Sequence, residues 1–95
     1  DAIPENSFVI ALHEEGKQLT SPEFAELIQQ KRSAGTSHIT FIIGGTYGLS
    51  ESVLKRADFT LSFSKMTFTH EMIRPLLLEQ LYRAFSIIKG KTYHY

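Results

Sequence analysis

The sequence predicts an α/β fold, a parallel sheet with helices on both faces. Three observations carry that prediction. Phe8–Leu12 and Ile39–Ile43 are short, continuous apolar runs, the pattern of strands buried on both sides. Phe59–Phe63 alternates apolar with polar residues and reads as a third strand. Each strand is followed by a capped stretch with helical spacing, and such alternation closes as parallel pairs joined by right-handed crossovers.

Taken in order, residues 1–7 are polar, contain Pro4 and read as a lead-in to the first strand. After Leu12, the run His13-Glu14-Glu15-Gly16-Lys17 is expected to leave the strand as a loop with a glycine turn. Thr20-Ser21-Pro22-Glu23 is a helix start: a hydroxyl cap, proline in the first turn and an acid near the positive end of the dipole. Phe24, Leu27 and Ile28 make the buried stripe of that helix, and Ala34-Gly35 ends it. Gly44-Gly45 stops the second strand. Ser50 then caps a short helix, with Leu49 and Leu54 placed as a hydrophobic staple, and Ala57-Asp58 closes it.

The chain is organised around Leu61-Ser62-Phe63-Ser64-Lys65-Met66-Thr67-Phe68-Thr69-His70. It ends the third strand, turns through a small polar loop and opens into the longest helix, Met72–Lys89. A loop of this kind, leaving the carboxyl end of a strand, is where open α/β folds place ligands. The long helix is apolar around most of its circumference. Ile73, Leu77, Leu81, Ala84 and Ile88 mark one face, Met72, Leu76, Leu78, Tyr82 and Phe85 spread over others, and Glu79, Arg83 and Ser86 form the polar stripe. One small sheet cannot cover so much apolar surface, so a homodimer through this helix is expected, with Leu77 and Leu81 at the contact. Pro75 is expected to remove one backbone bond and bend the axis.

Composition narrows the class. At 95 residues the chain has room for one core, so 1–95 is expected to be a single domain. It is 42% hydrophobic and 21% charged, the balance of a globular chain, and its longest apolar run, Leu76-Leu77-Leu78, is far too short to span a bilayer. No signal-peptide pattern opens it. The absence of cysteine excludes disulfides and thiolate chemistry and suits a reducing compartment. Formal net charge is zero, yet residues 1–30 hold six acids against one base (−5) and residues 31–95 nine bases against four acids (+5). The basic part suits an anionic partner such as nucleic acid, although a mixed surface is the ordinary reading.

Few motifs carry chemistry alone. Gly44-Gly45-Thr46-Tyr47-Gly48 sits between a strand and a helix but is neither a dinucleotide fingerprint nor a phosphate loop, and a plain turn explains it. Ser62, Ser64, Lys65, Thr67 and Thr69 offer polar groups to a ligand; equally, the serines fit the exposed side of a strand and the threonines fit helix caps. His13, His38, His70 and His94 lack metal-ligand spacing, so no metal is expected. Glu79 and Arg83 have the spacing of a surface ion pair. The tail Lys91-Thr92-Tyr93-His94-Tyr95 reads either as a frayed end or as an aromatic segment able to stack on a base.

Several segments together resemble one family. They are Leu12…Gly16-Lys17…Ser21, Phe41-Ile42-Ile43-Gly44-Gly45…Gly48-Leu49-Ser50, the stretch Leu61–His70, Leu78-Glu79-Gln80-Leu81-Tyr82-Arg83-Ala84-Phe85 and Tyr93-His94. In order and spacing they are similar to the ribosomal large-subunit RNA pseudouridine N3-methyltransferases of the SPOUT superfamily of knotted methyltransferases. Ser-Lys-Met-Thr-Phe-x-His followed by Glu-Gln-x-Tyr-Arg-Ala is the specific signature. The resemblance implies a trefoil-knotted domain, a homodimer built on the last helix and S-adenosylmethionine bound in a bent shape. It places cofactor contacts on Leu12, Gly44, Phe63, Ser64, Lys65, Met66, Thr67 and Phe68. The implied substrate is a pseudouridine of large-subunit RNA in the assembled ribosome, hence a cytoplasmic location. The family normally begins with a further strand–helix–strand–helix stretch, so this chain is expected to be the C-terminal, knot-forming portion. His13 stands where the family often has Asp, and Pro75 falls in a helix usually free of proline.

A pseudouridine N3 is an imide nitrogen that must lose its proton before or during attack on a sulfonium methyl. The reaction needs alignment, a base or positive neighbour, and a desolvated pocket. The expected roles are His94 as titratable group, Arg83 as electrostatic partner and Tyr93 as stacking surface. In such dimers the tail of one subunit can reach the cofactor of the other. Two rival readings stand beside this: a knotted dimer without turnover, and a generic nucleotide-binding domain, which leaves the Ser-Lys-Met-Thr-Phe signature unexplained.

Overall fold

Val9, Ile10, Ala11 and Leu12 carry no group that water must solvate, and all four lie at or below 8% exposure. Burial of four successive residues requires cover on both faces of a strand, so that strand has to be central. In the computed structural model, which describes residues 3, 6–44 and 49–90, it is. The elements run β1 (Ser7–Gln18), α1 (Ser21–Ser33), β2 (His38–Ile43), α2 (Glu51–Arg56), β3 (Phe59–Ser62) and α3 (His70–Ile88). The sheet order is β2-β1-β3, with both pairs parallel. The connections through α1 and α2 cross the sheet in opposite directions, so right-handed crossovers put these helices on opposite faces. Helix α3 packs on α1 and joins its side.

Local signals set the helix ends. The Thr20 hydroxyl accepts from the Glu23 amide at 3.2 Å while the Glu23 carboxylate accepts from the Thr20 amide at 2.8 Å. This reciprocal cap contributes about 1 kcal/mol. Ser50 caps α2 through the Val53 amide, and Thr69 caps α3 through the Met72 amide. At the far end of α1, Gly35 takes a φ of 90°, a left-handed turn that stops the helix without a side-chain penalty. Asp58 fixes the start of β3: its amide donates to the Val9 carbonyl and its carboxylate accepts from the Val9 amide, each at 2.8 Å.

The core lies between the sheet and the α1–α3 pair. Ile10, Leu12, Phe24, Ala25, Ile28, Leu61, Leu77 and Ala84 form it, with Ile73, Leu81 and Ile88 packed against it. Deleting one such side chain to alanine typically costs about 2–5 kcal/mol. Phe24 also meets Phe41 in a tilted pair, ring centroids 6.2 Å apart.

Four expectations are corrected here. First, His13–Lys17 does not leave the sheet as a loop. β1 continues to Gln18 through a bulge in which Leu61 opposes both Leu12 and Lys17. Gly16 serves close approach rather than a left-handed turn, since a β-carbon there would stand 2.7 Å from the Thr60 carbonyl carbon and oxygen. Second, β2 is an edge strand with Ile39–Ile43 only half-buried, because the chain crosses β1 to place β3 on its other side. Third, Leu77 and Leu81 face the protein's own core and are not free for a partner; the exposed apolar residues of α3 are Met72, Leu78, Tyr82 and Phe85. Fourth, Ser62, for which the exposed side of a strand is one of two readings, and Ser86, placed on the polar stripe of α3, are both buried. Helix α3 runs on through Pro75 without interruption.

Among the described residues no helix is long and apolar enough to cross a membrane.

Candidate functional site

Parallel strands end together, and the chain leaving each end builds one wall of a common cleft. From β1 come Leu12, His13 and Glu14; from the end of β2, Ile43 and Gly44; from β3 and the loop after it, Leu61, Phe63, Ser64, Met66, Thr67 and Phe68. Leu49, His70 and Ile73 complete a cleft of about 250 Å³. The loop wall is ordered by its own hydroxyls: Ser62 donates to the Ser64 carbonyl at 2.8 Å, and the Ser64 hydroxyl accepts from the Met66 amide at 3.0 Å.

The lining mixes apolar and polar groups, so it offers both packing surface and hydrogen-bonding groups. Leu12, Ile43, Leu49, Leu61, Phe63 and Phe68 supply the first; Ser64, Thr67, His13, Glu14 and His70 supply the second. His13 is set by its neighbours. Its Nδ1 accepts from the Glu15 amide at 3.1 Å, which leaves the ring proton of the neutral form on Nε2, 3.9 Å from the Glu14 carboxylate. Beside the cleft, and sharing Leu61, Phe63, Ser64 and Phe68 with it, lies a hollow of about 310 Å³. Across that hollow Ser21 donates to the Gln80 side-chain oxygen at 2.6 Å, tying α1 to α3.

Of the eight residues expected to contact a cofactor, Leu12, Gly44, Phe63, Ser64, Met66, Thr67 and Phe68 line this one cleft. Lys65 does not. It lies on a shallow surface with Glu14, Glu15, Gly16 and Gln18, where its ammonium can remain in water near two acids. Arg83 is also not among the cleft's lining residues. Its guanidinium is held by Glu79, with Nε and Nη2 each 2.9 Å from the same carboxylate oxygen. Tyr93 and His94 lie outside the described residues, as do Gly45 and the remainder of the glycine turn to Gly48.

Sequence reasoning passed over His13, Glu14 and His70 as members of the wall. Position was the available signal, since His13 and Glu14 directly follow Leu12 and His70 directly follows the cap of α3. Among the described residues no three His, Asp or Glu side chains gather closely enough to hold a metal ion.

A parallel sheet flanked by helices, with a cleft lined from all three strands, defines the protein's general class, an α/β domain. Comparison with known families narrows this: the model described as a predicted SPOUT methyltransferase matches residues 1–94, and the chain belongs to that family. It is 60% identical over 92 residues to the ribosomal RNA large subunit methyltransferase H of Halothermothrix orenii. The corresponding figures are 59% for the protein of that name from Clostridium botulinum strain Kyoto and 58% for that from Carboxydothermus hydrogenoformans. Each match covers 97% of this chain and 58% of the relative, so the chain spans somewhat more than half the length of these curated relatives.

Proposed function

We propose that this chain is the cofactor-binding, knot-forming unit of a cytoplasmic S-adenosylmethionine-dependent methyltransferase. Its proposed target is N3 of a pseudouridine in the large-subunit RNA of the assembled ribosome. The observation that carries the reading is the convergence of Leu12, Gly44, Phe63, Ser64, Met66, Thr67 and Phe68 on one cleft in a chain of this family. The donor set fits the cofactor. Leu12, Ile43, Phe63 and Phe68 suit an adenine ring, Ser64 and Thr67 suit hydroxyl and amino-acid groups, and Glu14 supplies a negative charge beside a sulfonium. When bound, S-adenosylmethionine supplies an electrophilic methyl group; every other requirement falls on the protein. The apolar side chains would pack against the cofactor, and the polar ones would orient it.

Helix α3 supports a homodimer. Leu78, Tyr82 and Phe85 recur at spacings of four and three, which gathers them on one stripe, and all are exposed. A second copy on that stripe gives Arg83 and the tail a role in a composite site. In it, His94 takes the imide proton, Arg83 favours the imide anion and Tyr93 stacks on the base.

The test separates binding from transfer. Removing Lys91–Tyr95 from the full-length form of the protein is expected to leave S-adenosylmethionine affinity near its original value by calorimetry. Transfer of a labelled methyl to ribosomes should fall by about a hundredfold or more. Transfer retained after truncation would remove the tail from the chemistry. Cofactor binding by the intact protein with no transfer to any ribosomal substrate would favour a binding module without turnover.

A further inference from the structure

Two of the cleft's walls come from segments with little to hold them. His13 and Glu14 lie in the bulge of β1, where regular pairing with β3 lapses between Leu12 and Lys17. Ser64 lies two residues beyond Ser62, the last residue of β3, where pairing has ended. One buried side chain reaches both. The Ser62 hydroxyl, on a residue 3% exposed, lies 2.8 Å from the Ser64 carbonyl and 3.1 Å from the Glu14 carbonyl.

A hydroxyl has one proton, so Ser62 shares it between two carbonyl acceptors, one from each wall. Both carbonyls belong to backbone released from the sheet ladder, and neither wall has regular pairing to replace the bond. We infer that Ser62 is a positioning residue: it sets the separation of the Glu14 wall and the Ser64 wall, and through it the width of the cleft. It is not among the residues that line the cleft. Its effect on catalysis is therefore indirect, through the shape offered to the cofactor.

The inference rests on the cofactor reading for its functional consequence, though not for the coupling itself. Ser62→Cys keeps the buried volume and replaces the hydroxyl by a weak donor; Ser62→Ala removes the group; Ser62→Thr restores it on a residue suited to a strand. Two readouts are used on the full-length protein. Without ligand, amide exchange at Glu15, Gly16 and Met66 should accelerate roughly tenfold in the Cys and Ala variants and return toward the original rate in Thr. With S-adenosylmethionine, KM should rise roughly tenfold in Cys and Ala while kcat at saturating cofactor holds, the split expected when only the binding shape is disturbed. Unchanged exchange in both Cys and Ala overturns the coupling. Faster exchange with an unchanged KM overturns the positioning role. If the unaltered protein binds no S-adenosylmethionine, the cofactor reading fails, and the exchange rates still decide whether Ser62 ties the walls.

Discussion

Replacing Gly16 by alanine is expected to be among the most damaging single-methyl additions available in this chain. The new carbon would lie 2.7 Å from two backbone atoms of Thr60 and 2.8 Å from its Cγ2. Backbone cannot rotate away as a side-chain tip can, so β1 and β3 must separate where the bulge rejoins the ladder. Overpacking of this kind typically costs about 1–3 kcal/mol, and contact with backbone puts Gly16 near the upper end. For a domain of this size that is a loss of roughly 10–20 °C in Tm. Gly35→Ala is the matched comparison: nothing lies within 4 Å of the added carbon, and only its φ of +90° opposes it. That strain is worth about 1 kcal/mol. Thermal unfolding of both variants decides the matter. Equal losses would mean that Gly16 is not held against Thr60.

If α3 forms the proposed homodimer, Leu78→Glu is expected to give a monomer while leaving each protomer folded. Leu78 is 67% exposed and Tyr82 63%, so neither contributes appreciably to the protomer's own core, whereas Leu77 is 7% exposed and does. A glutamate at 78 is solvated at no cost in a free protomer and is buried unpaired when two stripes meet, a penalty of several kcal/mol. That corresponds to at least a hundredfold weaker association. Leu77→Glu tests something else, because it would bury a charge beside Ile28 and Leu61 and unfold the chain. Sedimentation velocity with circular dichroism distinguishes them. A Leu78→Glu protein that is folded and still dimeric would remove this stripe from the interface.

The comparison of these two leucines shows where the sequence was legible. Periodicity identified α3 and grouped Ile73, Leu77, Leu81, Ala84 and Ile88 on one face, yet it could not say that this is the face the protomer keeps for itself. That depends on where α1 lies, which no local pattern encodes. The same limit applies to β2. Its continuous apolar run matched that of β1, but being central or at an edge is decided by the order in which the chain crosses the sheet. His13–Lys17 reads as a loop because two acids and a glycine are poor strand formers, and only pairing with β3 keeps it extended. In the cleft, the ends of β2 and β3 were legible because turn residues mark them, whereas Leu12, read as the end of β1, lies within that strand. The place of Lys65 was not legible, since no local pattern separates it from Ser64 and Met66 on either side, which do line the cleft. Alternation allowed Ser62 an exposed face, but its hydroxyl is buried against the Glu14 carbonyl in the bulge of β1.

The most direct test of the cofactor assignment is a titration of the isotopically labelled protein with S-adenosylmethionine, followed by amide chemical shifts. If the convergent strand ends are the cofactor site, the largest changes will fall at Leu12–Glu14, at Gly44 and from Phe63 to Phe68. The end of α1 at Lys31 and Arg32 will stay still. Saturable changes centred elsewhere, or none at millimolar cofactor, would contradict the assignment.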